Sequence, residues 1–258
     1  MKHNLFQKRI TWIAAALLFL CLTFGTINAV FSPFSDLVYR SPHFAEGSST
    51  GSYQIDPQTI LTSLSNGETD VFLPATTTSD APTEQDPILW QQSEYLTIAN
   101  AAFDVQWTDR HDGWHLSFVF FEANCQNFSK GFYGATFRYY KEVWHGMELR
   151  YLGREITVSP RYNQVDWSGD AYYYPPLFYF EKSIDLNNLS IGANHAISIA
   201  EQNGGSSARS QVNNQCSIWV ILDGSEKRGW NVIYEGKKSM LSTFEIYIDP
   251  YTGKISKK

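Results

Sequence analysis

A helix-length segment, Ser190 to Asn203, runs into Gly204-Gly205 and is followed by three strand-like runs, which leaves few folds open to the last third of this chain. Glycine takes the left-handed backbone angle of a helix terminus without steric cost, so the pair reads as a helix end followed by a loop. The runs finish on Phe244-Glu-Ile-Tyr-Ile-Asp-Pro-Tyr-Thr-Gly-Lys-Ile255, where Pro250 suits the start of a turn and Gly253 its end. A helix followed by several strands predicts the α+β class, with the helix packed on an antiparallel sheet.

The preceding region carries the same order of elements. Ser93 is positioned to cap a helix through Phe103, with Leu96, Ala99 and Phe103 on one side. Strands are predicted over Trp114–Glu122, Gly131–Val143 and Met147–Ser159, separated by Asp112-Gly113, Ser129-Lys130-Gly131 and His145-Gly146. Arg150, Arg154 and Glu155 read as the solvated face of that sheet. Leu96-Thr-Ile-Ala-Asn100 matches Ile197-Ser-Ile-Ala-Glu201 at an offset of 101 residues, a weak internal repeat. The chain therefore reads as two helix-plus-meander halves or one fused domain, with boundaries at 88–183 and 184–258. Between them lies Ala171-Tyr-Tyr-Tyr-Pro-Pro-Leu-Phe-Tyr-Phe180, in which Pro175-Pro176 forbids an ordinary central strand. Tyr172, Tyr173, Tyr174, Phe178 and Tyr179 are a candidate interaction surface, because tyrosine offers large contact area at small entropic cost. The alternative is that the run packs across the sheet and bridges the halves.

Residues 10–31 are almost wholly apolar and follow Lys2, Lys8 and Arg9. About 20 apolar residues cross a bilayer, and the preceding positive charges place the bulk of the chain outside. Residues 1–31 are read as a signal anchor, with a cleaved signal peptide as the rival. The expected location is the cell membrane, single-pass, with the bulk extracytoplasmic. Residues 32–52 lack periodicity and read as a stalk. Asp56-Pro57 opens a short helix as N-cap and first position, Asn66-Gly67 closes it, and 73–87 reads as a Pro/Thr linker, so 32–87 forms one connecting segment. Outside the membrane segment, which holds Cys21, only Cys125 and Cys216 remain. In an oxidising compartment they could form one disulfide; otherwise they are two separate buried thiols.

A net charge of −6 argues against nucleic acid, which requires a basic face. Aromatic residues at 16% and charged residues at 18% supply packing material and exclude a disordered chain. Asp109, His111, Asp112 and His115 form the densest polar cluster, yet Asp112-Gly113 breaks the helix that would bring the two histidines together, so a solvated turn is expected. Gly204-Gly-Ser-Ser207 lacks the frame of a nucleophile elbow. Asp166 and Asp170 flank a tryptophan without a fixed geometry, and His195 has no nucleophile beside it in sequence. No catalytic residue, cofactor or metal is expected.

The C-terminal third resembles a PepSY-type domain, the extracytoplasmic module known from peptidase propeptides. The likeness rests on Ala196-Ile-Ser-Ile-Ala200, Cys216-Ser-Ile-Trp-Val-Ile-Leu222, Gly229-Trp-Asn-Val-Ile-Tyr234 and the ending from Phe244 to Ile255. Residues 88–258 also resemble bacterial membrane-anchored proteins in which such a module follows a related half. The resemblance implies a helix on an antiparallel sheet, PepSY- or cystatin-like, and a role in holding or inhibiting a peptidase. Without a peptidase domain in this sequence, inhibition is expected to act in trans. The chain is accordingly read as a non-catalytic interaction module for an unknown protein partner, a peptidase or membrane complex. The alternative is a binding module for a small ligand, lipid or envelope polymer.

Overall fold

The computed structural model describes residues 43–75, 88–108, 112–145, 148–173, 182–224, 229–236 and 242–256. In chain order these form β1 (His43–Gln54), α1 (Ile60–Ser65), β2 (Leu73–Pro74), α2 (Gln92–Gln106), β3 (His115–Asn124), β4 (Gly134–His145), β5 (Glu148–Ser159) and β6 (Gln164–Tyr173). There follow α3 (Ala193–Ala200), α4 (Ser206–Gln211), β7 (Cys216–Asp223), β8 (Trp230–Gly236), β9 (Ser242–Ile248) and β10 (Ile255–Ser256). All ten strands join one antiparallel sheet in the order β10-β9-β8-β7-β3-β4-β5-β6-β1-β2. The fold is α+β. Residues 10–31 lie outside the described residues; among the latter no helix is long and apolar enough to cross a membrane.

The two halves meet through their first strands. β3 and β7 pair antiparallel, with Phe120 opposite Ile221, and each meander extends away from that seam. This relates the halves by an approximate two-fold axis normal to the sheet, which keeps the helices of both on one face. Helix α2 begins at Gln92 and α3 at Ala193, 101 residues on, where the Ala193 N–H donates to Gln92 Oε1 at 2.7 Å. The same spacing separates the first residues of β3 and β7, His115 and Cys216. The offset of the weak repeat is thus the structural offset as well. Later strands drift from it because the second meander has shorter strands.

Strand alternation sends one side chain in two toward the helices. Val119, Phe121 and Ala123 on β3 and Ile218, Val220 and Leu222 on β7 are buried there, against Tyr95, Ile98, Ala99 and Phe103 of α2 and Ala196, Ile197 and Ala200 of α3. Phe121 lies at the junction, with Tyr95, Phe132, Phe137 and Trp230 at ring-centroid distances of 6.2, 4.8, 5.8 and 6.4 Å. The polar tips of the buried rings are satisfied: Tyr95 Oη donates to the Phe132 carbonyl at 2.9 Å and Trp230 Nε1 to that of Ile191 at 2.7 Å. Cys125 and Cys216 are joined in a disulfide with Cα atoms 5.4 Å apart, tying the ends of the seam strands.

Local signals were displaced more often than absent. Helix α2 starts one residue before Ser93, because Gln91 and Glu94 form a capping box in which the Gln91 N–H donates to Glu94 Oε2 at 2.6 Å. Asp56 caps the turn ahead of α1 by accepting from the Gln58 N–H at 3.0 Å, and the helix itself begins at Ile60. The double glycine does not end its helix. The chain makes a wider turn over Glu201–Gly205, with Gly204 at φ +125°, and resumes as α4. Both glycines serve close packing: an added Cβ would stand 2.8 Å from the Phe244 ring at Gly204 and 2.5 Å from Tyr234 Oη at Gly205. Glu201 then bridges Tyr234, which donates to it at 2.7 Å, and Arg209 at 2.8 Å. The final hairpin follows its residues closely. Asp249 Oδ1 accepts from the Tyr251 and Thr252 N–H groups, and Gly253 sits at φ +70°. Those N–H donors, Thr252 first, hold the Asp249 carboxyl below its usual range.

Four readings are corrected. Residues 43–52 are not a stalk: they form β1 and pair along β6. Their glycine content hid the strand, yet Gly51 is required, since a Cβ there would lie 2.5 Å from the Trp167 ring. Leu73 and Pro74, read as linker, pair with Gln54 and Tyr53 as β2, while 76–87 lie outside the described residues. Residues 164–173 form a full strand, β6, so the backbone at Asp166 and Asp170, read without a fixed geometry, is extended. Arg154 is not on a solvated face. It is 8% exposed, its guanidinium 4.1 Å from the Trp114 ring centroid and 4.8 Å from that of Trp107. Three flat rings accept a planar cation where water would otherwise be needed.

Candidate binding face

The helices pack on one side of the sheet, and the other side carries the alternate residues, most of them half-buried and Tyr247 buried. Among the described residues no helix covers it. Strand register sets out its side chains in rows. One row runs Tyr247, Asn231, Ile221, Phe120, Thr136, Thr157, Asp166, Ser52 from β9 to β1. The next runs Asp223, Phe118, Arg138, Glu155, Ser168, Thr50. A third places Glu245, Ile233, Trp219 and Glu122 side by side. The face is therefore divided. Over β3, β7 and β8 it is apolar and aromatic; over β5, β6 and β1 it is built from hydroxyls and carboxylates. At one end of the sheet Tyr140 and Tyr151 are buried, so the open part begins at Arg138.

Trp219 and Phe120 meet edge to face at 6.1 Å, and Trp219 Nε1 is buried without a hydrogen-bond partner. Arg138 stacks 4.9 Å from the Phe118 centroid and places Nη2 2.9 Å and Nε 3.1 Å from Glu155 Oε2. Both side chains of that pair are about one third exposed, so it orients the carboxylate more than it stabilises the fold. Thr136 and Thr157 exchange a hydrogen bond at 3.0 Å. Asp166 accepts from Ser52 Oγ and Gln164 Nε2, both at Oδ1. Thr50, Gly51, Ser52, Glu155, Thr157, Asp166, Trp167 and Ser168 enclose an open groove of 310 Å³.

Tyr133 donates to Glu122 at 2.6 Å beside this face. Burial first, then that bond, raises the Tyr133 phenol above the ordinary tyrosine range, and burial does the same to Tyr95 and to Tyr234, which also donates to Glu201. Because these folded values lie above the unfolded value of about 10, the protonated phenols contribute stability that is complete below pH ~10 and lost as pH rises through the folded values. Phenolate absorbance should show all three silent near pH ~11 and ionising only as the fold is lost. Uniform titration near pH 10 in an intact fold would contradict this.

No family model, curated protein or solved structure matches this chain. Function rests on the residues themselves.

Of the predicted interaction surface, Tyr172 and Tyr173 belong to β6, opposite Leu152 and Tyr151, while Tyr174, Phe178 and Tyr179 lie outside the described residues. Asp112 and His115 are exposed, and Asp109 and His111 lie outside. Among the described residues no group of three or more His, Cys, Asp or Glu side chains is placed to hold a metal ion. The sequence reading missed the open face itself. Its signal was present as the alternation Phe118-x-Phe120-x-Glu122 and Ser217-x-Trp219-x-Ile221, but the intervening positions are equally apolar, which conceals which face is buried.

Proposed function

We propose that this protein is a non-catalytic extracytoplasmic interaction module, anchored through residues 10–31, that engages a protein partner with the open face of its sheet. A peptidase or a membrane complex is the expected partner, by the likeness of the C-terminal half to PepSY-type domains. The observation that carries the reading is the half-buried strip Phe118, Phe120, Trp219, Ile221 and Ile233 on a face that no helix covers among the described residues. Aromatic anchors in a polar surround are the composition of a protein-binding patch. A second reading, a small ligand or envelope polymer, is favoured by the polar groove between β1, β5 and β6.

Site-specific photo-cross-linking of the full chain in its membrane separates these. A photoreactive residue at Phe120 or Ile233 should give one discrete protein adduct, and one at exposed His195 on the helical side should give none. Adducts from His195 alone would overturn the assignment of the face.

A further inference from the structure

The open face is charged as well as apolar. Around the aromatic strip stand Glu122, Glu155, Asp166, Asp223, Glu235 and Glu245, against a single strand guanidinium among the described residues, Arg138, with Arg161 at the rim over Tyr133. These strand carboxylates share one side of the sheet, while the strand cations Lys141 and Arg154 lie over rings on the other. Three occupants are disfavoured by that distribution. An anionic lipid surface would be repelled, a second copy docked face to face would set carboxylates against carboxylates, and a nucleic acid would meet the wrong sign.

The groove adds a local preference. Asp166 spends Oδ1 on Ser52 and Gln164, and Glu155 spends Oε2 on Arg138, leaving Asp166 Oδ2 and Glu155 Oε1 without partners among the described residues. The hydroxyls of Thr50, Ser52, Thr157 and Ser168 line the same space. Two free carboxylate oxygens amid hydroxyl acceptors suit an ammonium or guanidinium group, which brings several donors and the opposite charge. Thr157 lies two strands from Phe120, about 10 Å, which three residues of extended chain span. A cationic tip in the groove and an apolar neighbour on the aromatic strip are thus within reach of one short segment.

We propose that the partner presents a basic, amphipathic segment: one lysine or arginine side chain seats between Glu155 and Asp166, and adjacent apolar side chains lie on Phe118, Phe120 and Ile221. This rests on the interaction reading above. The surrounding carboxylates speed encounter and select against acidic competitors.

The test uses the full chain in zwitterionic phosphatidylcholine nanodiscs, with empty nanodiscs as reference, titrated with three synthetic peptides of equal length: alternating Lys/Leu, Ser/Leu and Glu/Leu. A neutral hexasaccharide is the fourth probe. The Lys/Leu peptide is expected to bind at least about tenfold tighter than Ser/Leu, and to lose about tenfold or more between 0.1 and 1 M salt as the screening length contracts from about 10 to 3 Å. Glu155→Gln combined with Asp166→Asn should weaken it about tenfold at unchanged Tm, Glu155→Gln alone should weaken it less, and Glu68→Gln, away from the face, should leave it unchanged. Equal binding of Ser/Leu, or salt-insensitive binding, overturns the basic segment and leaves the interaction reading standing. Failure of every peptide, with a protein still captured by the cross-linker at Phe120, does the same. Preference for the hexasaccharide, with no protein captured, overturns both.

Discussion

Phe121→Ala is expected to cost about 3–5 kcal/mol, the range for emptying a buried phenylalanine site. The position is fully buried and lies on β3, the strand that joins the halves. Its ring touches Tyr95 and Phe132 from the first half and Trp230 from the second, so the space left behind belongs to neither half and collapse of one side cannot fill it. Urea unfolding should show a lower midpoint with an unchanged slope and one transition for both halves. Two separated transitions, or a loss below about 1 kcal/mol, would show that the seam is not a shared core.

Opening the disulfide is the second large effect. Cys125 and Cys216 are 91 residues apart in sequence, and in the chain-entropy picture a loop of that size contributes about 4–5 kcal/mol. The Cys125→Ser, Cys216→Ser double variant should lose up to that amount, and wild-type protein in reductant should fall to the same stability. The chain has three cysteines, so the unfolded, unreduced protein should show one reactive thiol, Cys21. Three would overturn the bond. The Cys125 N–H still donates to the Cys216 carbonyl at 3.1 Å, so the seam strands should stay paired after reduction.

Where local chemistry decides, the sequence is a sufficient guide. The final hairpin is an example: Asp249, Thr252 and Gly253 make their turn from neighbouring backbone groups alone. The strands β3, β4 and β5 and helices α2 and α3 are likewise written in alternation, turn residues and 3.6-residue periodicity. The helix repeat at 101 residues is legible for the same reason, since equivalent positions such as Ala99 and Ala200 both face the core.

Other elements exist only because of distant partners. β1 has a stalk's composition and becomes a strand because β6 offers it a ladder and Trp167 fills the space over Gly51. Arg154 reads as a surface charge, and three rings brought from α2, the residue after it and the residue before β3 make it an interior one. The double glycine has a helix terminator's composition and is used for a tight crossing over Phe244 and Tyr234. The candidate face follows the same rule. Phe118, Phe120, Trp219 and Ile221 are separated by about 100 residues and become one surface only when β3 pairs with β7. By itself the sequence determined the class, the helix-then-meander order and the turns, because those depend on hydrophobic period and backbone angles within a few residues. Only the tertiary structure decided which face of the sheet stays open and which charges gather on it, because strand pairing places residues by register rather than by nearness in the chain.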